Sequence, residues 1–200
     1  MRPHPHPMES HPHTPEILSP HTPEILYVTW RRYLPGEDPL LGEVLGGPFV
    51  AGVQSQGVAI CAKHLLLNTQ ETLRFSTSTD ADDRVWVEVY ARPFAAAIRA
   101  GAASVMCGYN LLNGTDACGD ARLLGALLRG RLGFRGFVMS DWWATRVPDA
   151  SARGVDVSMP GNDNMFSSWL RTRQPSLLPH GPVLRTMARR VVRGMLASSA

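Results

Sequence analysis

The sequence has no apolar run that approaches the roughly 18 residues of a membrane-spanning helix. Its opening residues, MRPHPHPMESHPHTPEIL, lack the apolar centre of a secretory signal peptide. Charge of one sign is also missing, because 20 Lys and Arg residues face 17 Asp and Glu residues and the arginines are scattered. We therefore expect neither a membrane nor a nucleic-acid partner. No pattern predicts an oligomeric state.

Cysteine is scarce, and the three cysteines do not have the spacing of a metal site. Cys61 falls in an apolar strand pattern and is expected to be buried and unreactive. Cys107 and Cys118 could form a disulfide in an oxidising compartment, although their spacing does not decide it. Residues 113–115, Asn-Gly-Thr, match the N-glycosylation sequon, which also occurs by chance. We expect no cofactor and no metal.

The chain divides into two zones by composition. Residues 1–28 are rich in proline and histidine and have no core periodicity, so we predict a disordered tail. The histidines could bind a metal, but a tail without function is the favoured interpretation. Residues 29–200 are interpreted as one domain, in which strand and helix patterns alternate.

Apolar segments predict strands at 57–64, 103–110, 136–141 and 153–160. Amphipathic segments predict helices at 80–101, 120–132 and 183–196. In the first helix, the predicted buried stripe is Trp86, Val89, Tyr90, Phe94, Ala97 and Ile98, with a kink at Pro93. In the second, it is Leu123, Leu124, Leu127 and Leu128, with Gly133 as a stop signal. This alternation favours an α/β fold with a parallel sheet and crossover helices.

Polar side chains follow three of the predicted strands where each strand ends. They are Lys63 and His64, Tyr109 and Asn110, and Asp141 and Trp142. In α/β barrels, the chemistry lies at the carboxyl ends of the strands. The joint placement of these residues therefore indicates a functional pocket more strongly than any one of them alone.

Two of these residues suggest acid–base or nucleophilic chemistry. Asp141 could be a nucleophilic or proton-transferring carboxylate, but an isolated Asp at a strand end is more often a cap. Tyr109 could donate a hydrogen bond to a nearby carboxylate, or be an ordinary residue at the edge of the core.

The others suggest recognition of a polyhydroxylated ligand. Lys63 and His64 could hold such a ligand through charge-assisted hydrogen bonds, or simply be solvated. Trp142 and Met106 could form an apolar floor for a sugar ring, or belong to the core.

From about residue 36 to residue 161, the chain resembles glycoside hydrolase family 3, the β-glucosidase and β-xylosidase family. The matching stretches are GEDPLL (36–41), GVQSQGVAICAKHLLLNTQET (52–72), RPFAAAI (92–98), SVMCGYNLLNGTDAC (104–118), LLRGRLGFRGFVMSDWWAT (127–145) and GVDVSMPG (154–161). The order and spacing of these stretches also agree with the family. The KHLLLN stretch lacks the KHFPGHG-type loop of the family's N-acetylhexosaminidases, so the β-glucosidase branch is favoured.

The resemblance implies a fold and a set of roles. The fold would be the C-terminal half of the family's N-terminal (β/α)8 barrel domain, a TIM-like barrel. Asp141 would be the catalytic nucleophile, kept ionised with help from Lys63, and Tyr109 would orient or stabilise it. The substrate-binding residues would be Lys63, His64, Arg74, Met106, Tyr109 and Trp142.

The implied activity is that of a retaining β-glycosidase, a β-glucosidase acting on terminal β-D-glucosyl residues through a covalent glycosyl-enzyme on Asp141. The partner would be a β-glucoside or an oligosaccharide. The alternatives are a β-xylosidase and a catalytically inactive carbohydrate-binding remnant. The resemblance also implies secretion, although no signal peptide is visible.

The sequence departs from the family in ways that affect this expectation. The family's acid/base glutamate lies in a following domain, and no residue of this chain is assigned that role. About four of the eight barrel strands can be placed, so we expect the chain to be marginally stable or prone to aggregation. Because acid catalysis is missing, we also expect it to be inactive on ordinary glycosides. Trp143 follows the SDW motif, and its bulk could crowd the pocket.

Overall fold

The computed structural model describes residues 25–29, 38–161, 176 and 179–197. Four parallel strands form the main sheet in the order β1-β2-β4-β7. They are β1 (Ile25–Thr29), β2 (Ala59–Leu65), β4 (Ser104–Cys107) and β7 (Phe137–Ser140). A small second sheet comprises β3 (Ser78–Thr79), β5 (Leu111–Leu112) and β6 (Thr115–Asp116). The α/β class with a parallel sheet is therefore confirmed.

Helical segments connect these strands. They are α1 (Pro39–Gln54), α2 (Asp83–Val85), a π-helix (Trp86–Tyr90), α3 (Ala91–Arg99), a 3-10 turn (Ala117–Gly119), a second π-helix (Arg122–Arg131), α4 (Ala150–Arg153) and α5 (Gly181–Ala197). The helix predicted at 183–196 corresponds to α5. Within the described ranges, no helix has both the length and the apolar character needed to cross a bilayer.

Helix α1 was not predicted, although its start carries a signal. Asp38 is the N-cap, and its side chain accepts hydrogen bonds from the N–H groups of Leu40 and Leu41. Pro39 follows at the first helical position, which suits its fixed φ. Several glycines and an internal proline, Pro48, lower the helix propensity of the rest. Packing against α3 therefore stabilises this helix more than its own sequence does.

The helix predicted at 80–101 is divided into three parts. Asp82 caps α2 by accepting from the N–H of Val85. The π-helix then changes the helical period, so Trp86 is buried whereas Val89 is exposed. The predicted position of Val89 on the buried stripe is therefore wrong. Pro93 lies just after this change of helix type, at the place where we predicted a kink.

The helix predicted at 120–132 is mostly a π-helix, in which the N–H of Leu132 donates to the carbonyl of Leu127, five residues earlier. The four leucines predicted on its inner face, Leu123, Leu124, Leu127 and Leu128, are all buried. The chain leaves the helix through Gly133, which has a φ of 69°.

The strand predicted at 153–160 is wrong. This segment makes only an isolated parallel bridge, Val157 to Met139, beside the edge of β7. The carboxylate of Asp156 accepts the N–H of Val138. A side chain thus occupies a backbone donor that a regular ladder would use.

The tail predicted at 1–28 also needs a correction. Residues 25–28 belong to β1, which pairs in parallel with β2 from Ile25↔Ala59 to Thr29↔Lys63. The sequence ILYVT is rich in β-branched and aromatic residues, which favour strands. Residues 1–24 lie outside the described residues.

Helix α5 packs against β7 and is also held there by an ion pair between Arg190 and Asp156. A Cβ added to Gly194 would lie 2.5 Å from the carbonyl oxygen of Ala103 and 2.7 Å from Phe137 Cδ1, so only glycine permits this approach. Asp156, whose side chain is fully buried, accepts from Arg129 Nη2 at 2.6 Å and from Arg190 Nη1 at 3.0 Å. The buried acid thus joins the second π-helix, β7 and α5.

Candidate active site

The polar residues predicted at strand ends come together because their strands are neighbours. Lys63 and His64 lie near the end of β2, Tyr109 follows β4, and Asp141 follows β7. The backbone N–H of Asp141 donates to the carbonyl of Cys107 at 3.1 Å, which aligns the exits of β4 and β7. This edge of the sheet therefore holds the candidate site.

Asp141 is the centre of the cluster. Its Oδ1 accepts the Tyr109 hydroxyl at 2.9 Å and the N–H of Trp142 at 2.8 Å. Its Oδ2 lies 3.0 Å from His64 Nε2. Only 12% of its side chain is exposed. The strand end thus presents a carboxylate that is held on both oxygens.

Burial alone would raise the pKa of Asp141, since it removes water from the charged form. The contact with His64, the N–H of Trp142 and the hydroxyl of Tyr109 outweigh that effect and lower the pKa below its usual value. Lys63, to which we assigned part of this role, is not among these main contributors. Asp141 is therefore ionised at neutral pH.

Tyr109 is buried, and its hydroxyl is a reliable donor. Burial, together with the neighbouring Asp141 charge, raises the pKa of Tyr109 to about 12. The phenol is therefore protonated at neutral pH, where Asp141 is ionised. The structure shows the hydrogen bond that the sequence predicted between these two residues.

His64, near the end of β2, lies beside the carboxylate of Asp141, and Lys63 precedes it on the same strand. The Nε2 atom of His64 is buried and lies 3.0 Å from Asp141 Oδ2. Lys63 is half-buried and pairs in register with Met106 of β4. It is the only lysine in the sequence.

Arg74 reaches the same cluster through an aromatic ring. Its guanidinium carbon lies 4.7 Å from the centre of the Tyr109 ring and 5.1 Å from that of Phe75. Its Nη1 also lies 3.3 Å from Glu71 Oε2. The structure therefore places the guanidinium of Arg74 against the ring of Tyr109.

Met106 and Trp142 differ in their surroundings. Met106 is buried in a cluster with Cys61, Phe137 and Met139, which fits the core interpretation of this residue. Trp142 is 49% exposed next to Asp141. Of the two, Trp142 has the surface that a ligand needs.

Three features support Tyr109, and the first two were missed from the sequence. Arg146 donates to the carbonyl of Tyr109 at 2.8 Å and to Asp116 at 2.7 Å. Asn110 Nδ2 donates to the carbonyl of Leu66 at 3.0 Å. Arg146 is 37 residues from Tyr109, so no local pattern predicts the contact.

The third feature is the disulfide between Cys107 and Cys118, which the sequence left open. It closes the loop that contains Tyr109. The third cysteine, Cys61, is buried as predicted, and burial raises the pKa of its thiol to about 12.

We expect Tyr109→Phe to raise the pKa of Asp141, because the change removes a hydrogen bond to the carboxylate. Because the pKa of Asp141 is lower in the folded than in the unfolded state, where it is about 3.9, its ionisation adds to the free energy of unfolding at neutral pH. That contribution is lost as the pH falls through the folded-state pKa of Asp141. The variant should therefore be about 1.5–3 kcal/mol less stable than the wild type at pH 7. The difference should shrink below about pH 4.

Chemical unfolding at pH 7 and pH 3 would measure this difference. Tyr90→Phe, a change on the first π-helix, is the matched control and should show no such pH dependence. A deficit of the same size at both pH values would show that the hydroxyl does not stabilise the charge of Asp141.

The described residues contain no group of three or more His, Cys, Asp or Glu side chains that could hold a metal ion.

Comparison with known families gives a match to the glycosyl hydrolase family 3 N terminal domain over residues 29–165. The chain belongs to glycosyl hydrolase family 3. The resemblance stated from its motifs is thereby confirmed.

Curated relatives of this family 3 chain carry β-glucosidase names. It is 49% identical over 127 residues to a probable beta-glucosidase L of Aspergillus terreus, covering 63% of this chain and 17% of that protein. It is 47% identical over 129 residues to the beta-glucosidase cel3A of Pyricularia oryzae, covering 64% and 18%. The chain thus spans less than a fifth of the length of these relatives.

Solved structures give the same family. The beta-D-glucoside glucohydrolase from Trichoderma reesei matches with a TM-score of 0.75 and 31% identity, over 88% of this chain and 27% of that chain. The beta-glucosidase 3B from Thermotoga neapolitana in complex with glucose matches with a TM-score of 0.77 and 31% identity, over 87% and 27%.

Proposed function

We propose that this family 3 chain carries the nucleophile half of a retaining β-glucosidase site that acts on terminal β-D-glucosyl residues. The observation that carries the proposal is the ionised, rigidly held carboxylate of Asp141, with an exposed indole beside it. The β-glucosidase names of the relatives favour a glucoside over a xyloside. The four parallel strands would form part of a (β/α)8 barrel, with the site at their carboxyl ends.

The geometry suits the first step of retaining hydrolysis. Because Oδ1 already accepts two hydrogen bonds, we assign the attack to Oδ2. Oδ2 would form a bond to the anomeric carbon as the bond to the leaving oxygen breaks, and the leaving oxygen would take a proton from an acid or depart as an anion. Water would then attack the anomeric carbon of the glycosyl-enzyme and lose a proton to a base or to solvent, while the bond from that carbon to Oδ2 breaks. This releases β-glucose and restores the carboxylate.

The remaining site residues would bind the sugar. Lys63, His64 and Arg74 would contact hydroxyl groups, because charged donors form strong hydrogen bonds to them. Trp142 would pack on the apolar face of the ring. Met106 would support the floor from the core.

Protonation of the leaving group has no assigned residue in this site. His64 and Tyr109 contact Asp141, but both serve to stabilise its charge. General acid catalysis typically contributes a factor of about 10² to 10⁴. Substrates whose leaving group needs no proton are therefore the fair test of this chain.

The test uses 2,4-dinitrophenyl 2-deoxy-2-fluoro-β-D-glucoside. Its leaving group departs as a stable anion, while the fluorine slows hydrolysis of the glycosyl-enzyme, so a covalent adduct should accumulate. We expect the intact mass to rise by one fluoroglucosyl group, and peptide mapping to place that group on Asp141. Asp141→Asn should not be labelled, whereas Asp149→Asn, at a half-exposed ion pair, should be labelled like the wild type.

A folded chain that remains unlabelled, or is labelled on another carboxylate, would overturn the proposal. Glucose binding without labelling would favour the carbohydrate-binding remnant. Faster labelling by the corresponding xyloside would favour a β-xylosidase.

We also propose an oxidising location such as the extracellular space, because the Cys107–Cys118 disulfide persists there.

A further inference from the structure

Trp143 has a backbone conformation that is unusual for a bulky residue. Its φ is 59°, in the left-handed region that disfavours side chains with a Cβ. Its N–H donates to the carbonyl of Met159 at 2.8 Å, and the N–H of Ala144 donates back to Asp141 at 3.1 Å. The turn is therefore fixed by hydrogen bonds on both sides of the indole.

The side chain of Trp143 is also unusually open, with 58% of the residue exposed. A large apolar residue at a left-handed position, facing water, combines two unfavourable features in one place. Strain of this kind persists where the surrounding structure enforces it, and it concentrates at ligand sites. Trp143 is therefore a candidate for ligand contact rather than for packing.

The position of Trp143 indicates which part of a ligand it would meet. Its ring centre lies 5.4 Å from that of Trp142 in an edge-on arrangement. The N–H of Trp142 binds Asp141 directly, whereas Trp143 is one residue further along and more exposed. Two exposed indoles in mutual contact thus follow the carboxylate directly in the chain.

We propose that Trp143 contacts the aglycone, the group on the far side of the bond that is cleaved, and makes this site prefer glucosides with a planar or apolar aglycone. The inference rests on the proposed function, because it assumes that the glucosyl unit lies against Asp141. An indole offers a flat, weakly hydrated face to an aromatic ring or to the apolar face of a second sugar. The fixed turn holds that face ready before the ligand arrives, which reduces the entropic cost of binding.

The experiment compares two sulfur-linked ligands that resist hydrolysis, phenyl and methyl 1-thio-β-D-glucoside. They share the glucosyl unit and differ only in the aglycone. Isothermal titration calorimetry would give the ratio of their dissociation constants for the wild type, Trp143→Gly and Trp143→Phe. Glycine accepts the positive φ without strain, so loss of binding by unfolding is not expected, and circular dichroism would check the fold.

We expect the wild type to bind the phenyl ligand about tenfold more tightly, which corresponds to a stacking contribution of ordinary size. The ratio should fall to about two or less in Trp143→Gly and stay near the wild-type value in Trp143→Phe, which keeps an aromatic face. An unchanged ratio in Trp143→Gly, with both ligands bound, would overturn this inference and leave the proposed function intact. Binding of neither ligand to the folded wild type would overturn the proposed function, and this inference with it.

Discussion

Replacing Asp156 by asparagine is expected to cost about 3–5 kcal/mol of folding free energy, because it breaks a buried charge pair and leaves its partners uncompensated. The Asp156 side chain is fully buried between the guanidinium groups of Arg129 and Arg190, of which 14% and 28% of the side chain are exposed. Asparagine keeps the shape but loses the charge. Whole domains are stable by only about 5–15 kcal/mol, so this loss is a large fraction of the total stability.

Urea unfolding followed by circular dichroism would measure the change. Asp149→Asn is the matched control, because it removes the same charge from an exposed i, i+4 pair with Arg153. Such pairs contribute about 0.3–0.5 kcal/mol. If both variants lost the same small amount, Asp156 would not be the tie between the second π-helix, β7 and α5 that the structure indicates.

Removing the Cys107–Cys118 disulfide is expected to cost about 3 kcal/mol, because the unfolded chain gains the freedom of a loop whose ends are 11 residues apart. The double variant Cys107→Ala/Cys118→Ala avoids burying new polar groups at these buried positions. Since Tyr109 lies inside the loop, its hydrogen bond to Asp141 should also become less rigid. Unfolding in urea, without reductant, would give the free energy.

The control for this variant is the reductant itself. Dithiothreitol should lower the stability of the wild type towards that of the double variant and leave the double variant unchanged. Equal stability of the wild type with and without reductant would contradict a stabilising role for the disulfide.

Much of the site was predictable, because strand ends in a parallel sheet obey a simple positional rule. The apolar runs before Lys63 and Asp141 placed both residues at one edge. The contact between Tyr109 and Asp141 was implied by the resemblance to the family, whereas the residues alone left Tyr109 between a donor and a core-edge residue. Met106 could not be assigned from the sequence, because a methionine near the end of a buried strand fits the floor of a pocket as well as the core.

The supports of the site were not predictable, since they join residues far apart in the chain. Arg146 reaches the carbonyl of Tyr109 through a contact with no local pattern. Asp156 was predicted to lie inside a strand. Instead its carboxylate is buried between two arginines and accepts the Val138 N–H, a donor that a regular strand pair would use. Periodicity also failed at Val89, because a helical pattern assumes 3.6 residues per turn and a π-helix has a wider turn.

The single lysine of this chain has a practical consequence for anyone who attaches it to a surface or a dye. Amine-reactive coupling has one side-chain target, Lys63, which precedes His64 on β2, and His64 contacts Asp141. Thiol coupling offers no substitute, since Cys61 is buried and the other two cysteines are bonded to each other. Immobilisation through Lys63 is therefore expected to obstruct the candidate active site, whereas attachment through an added terminal tag avoids this residue.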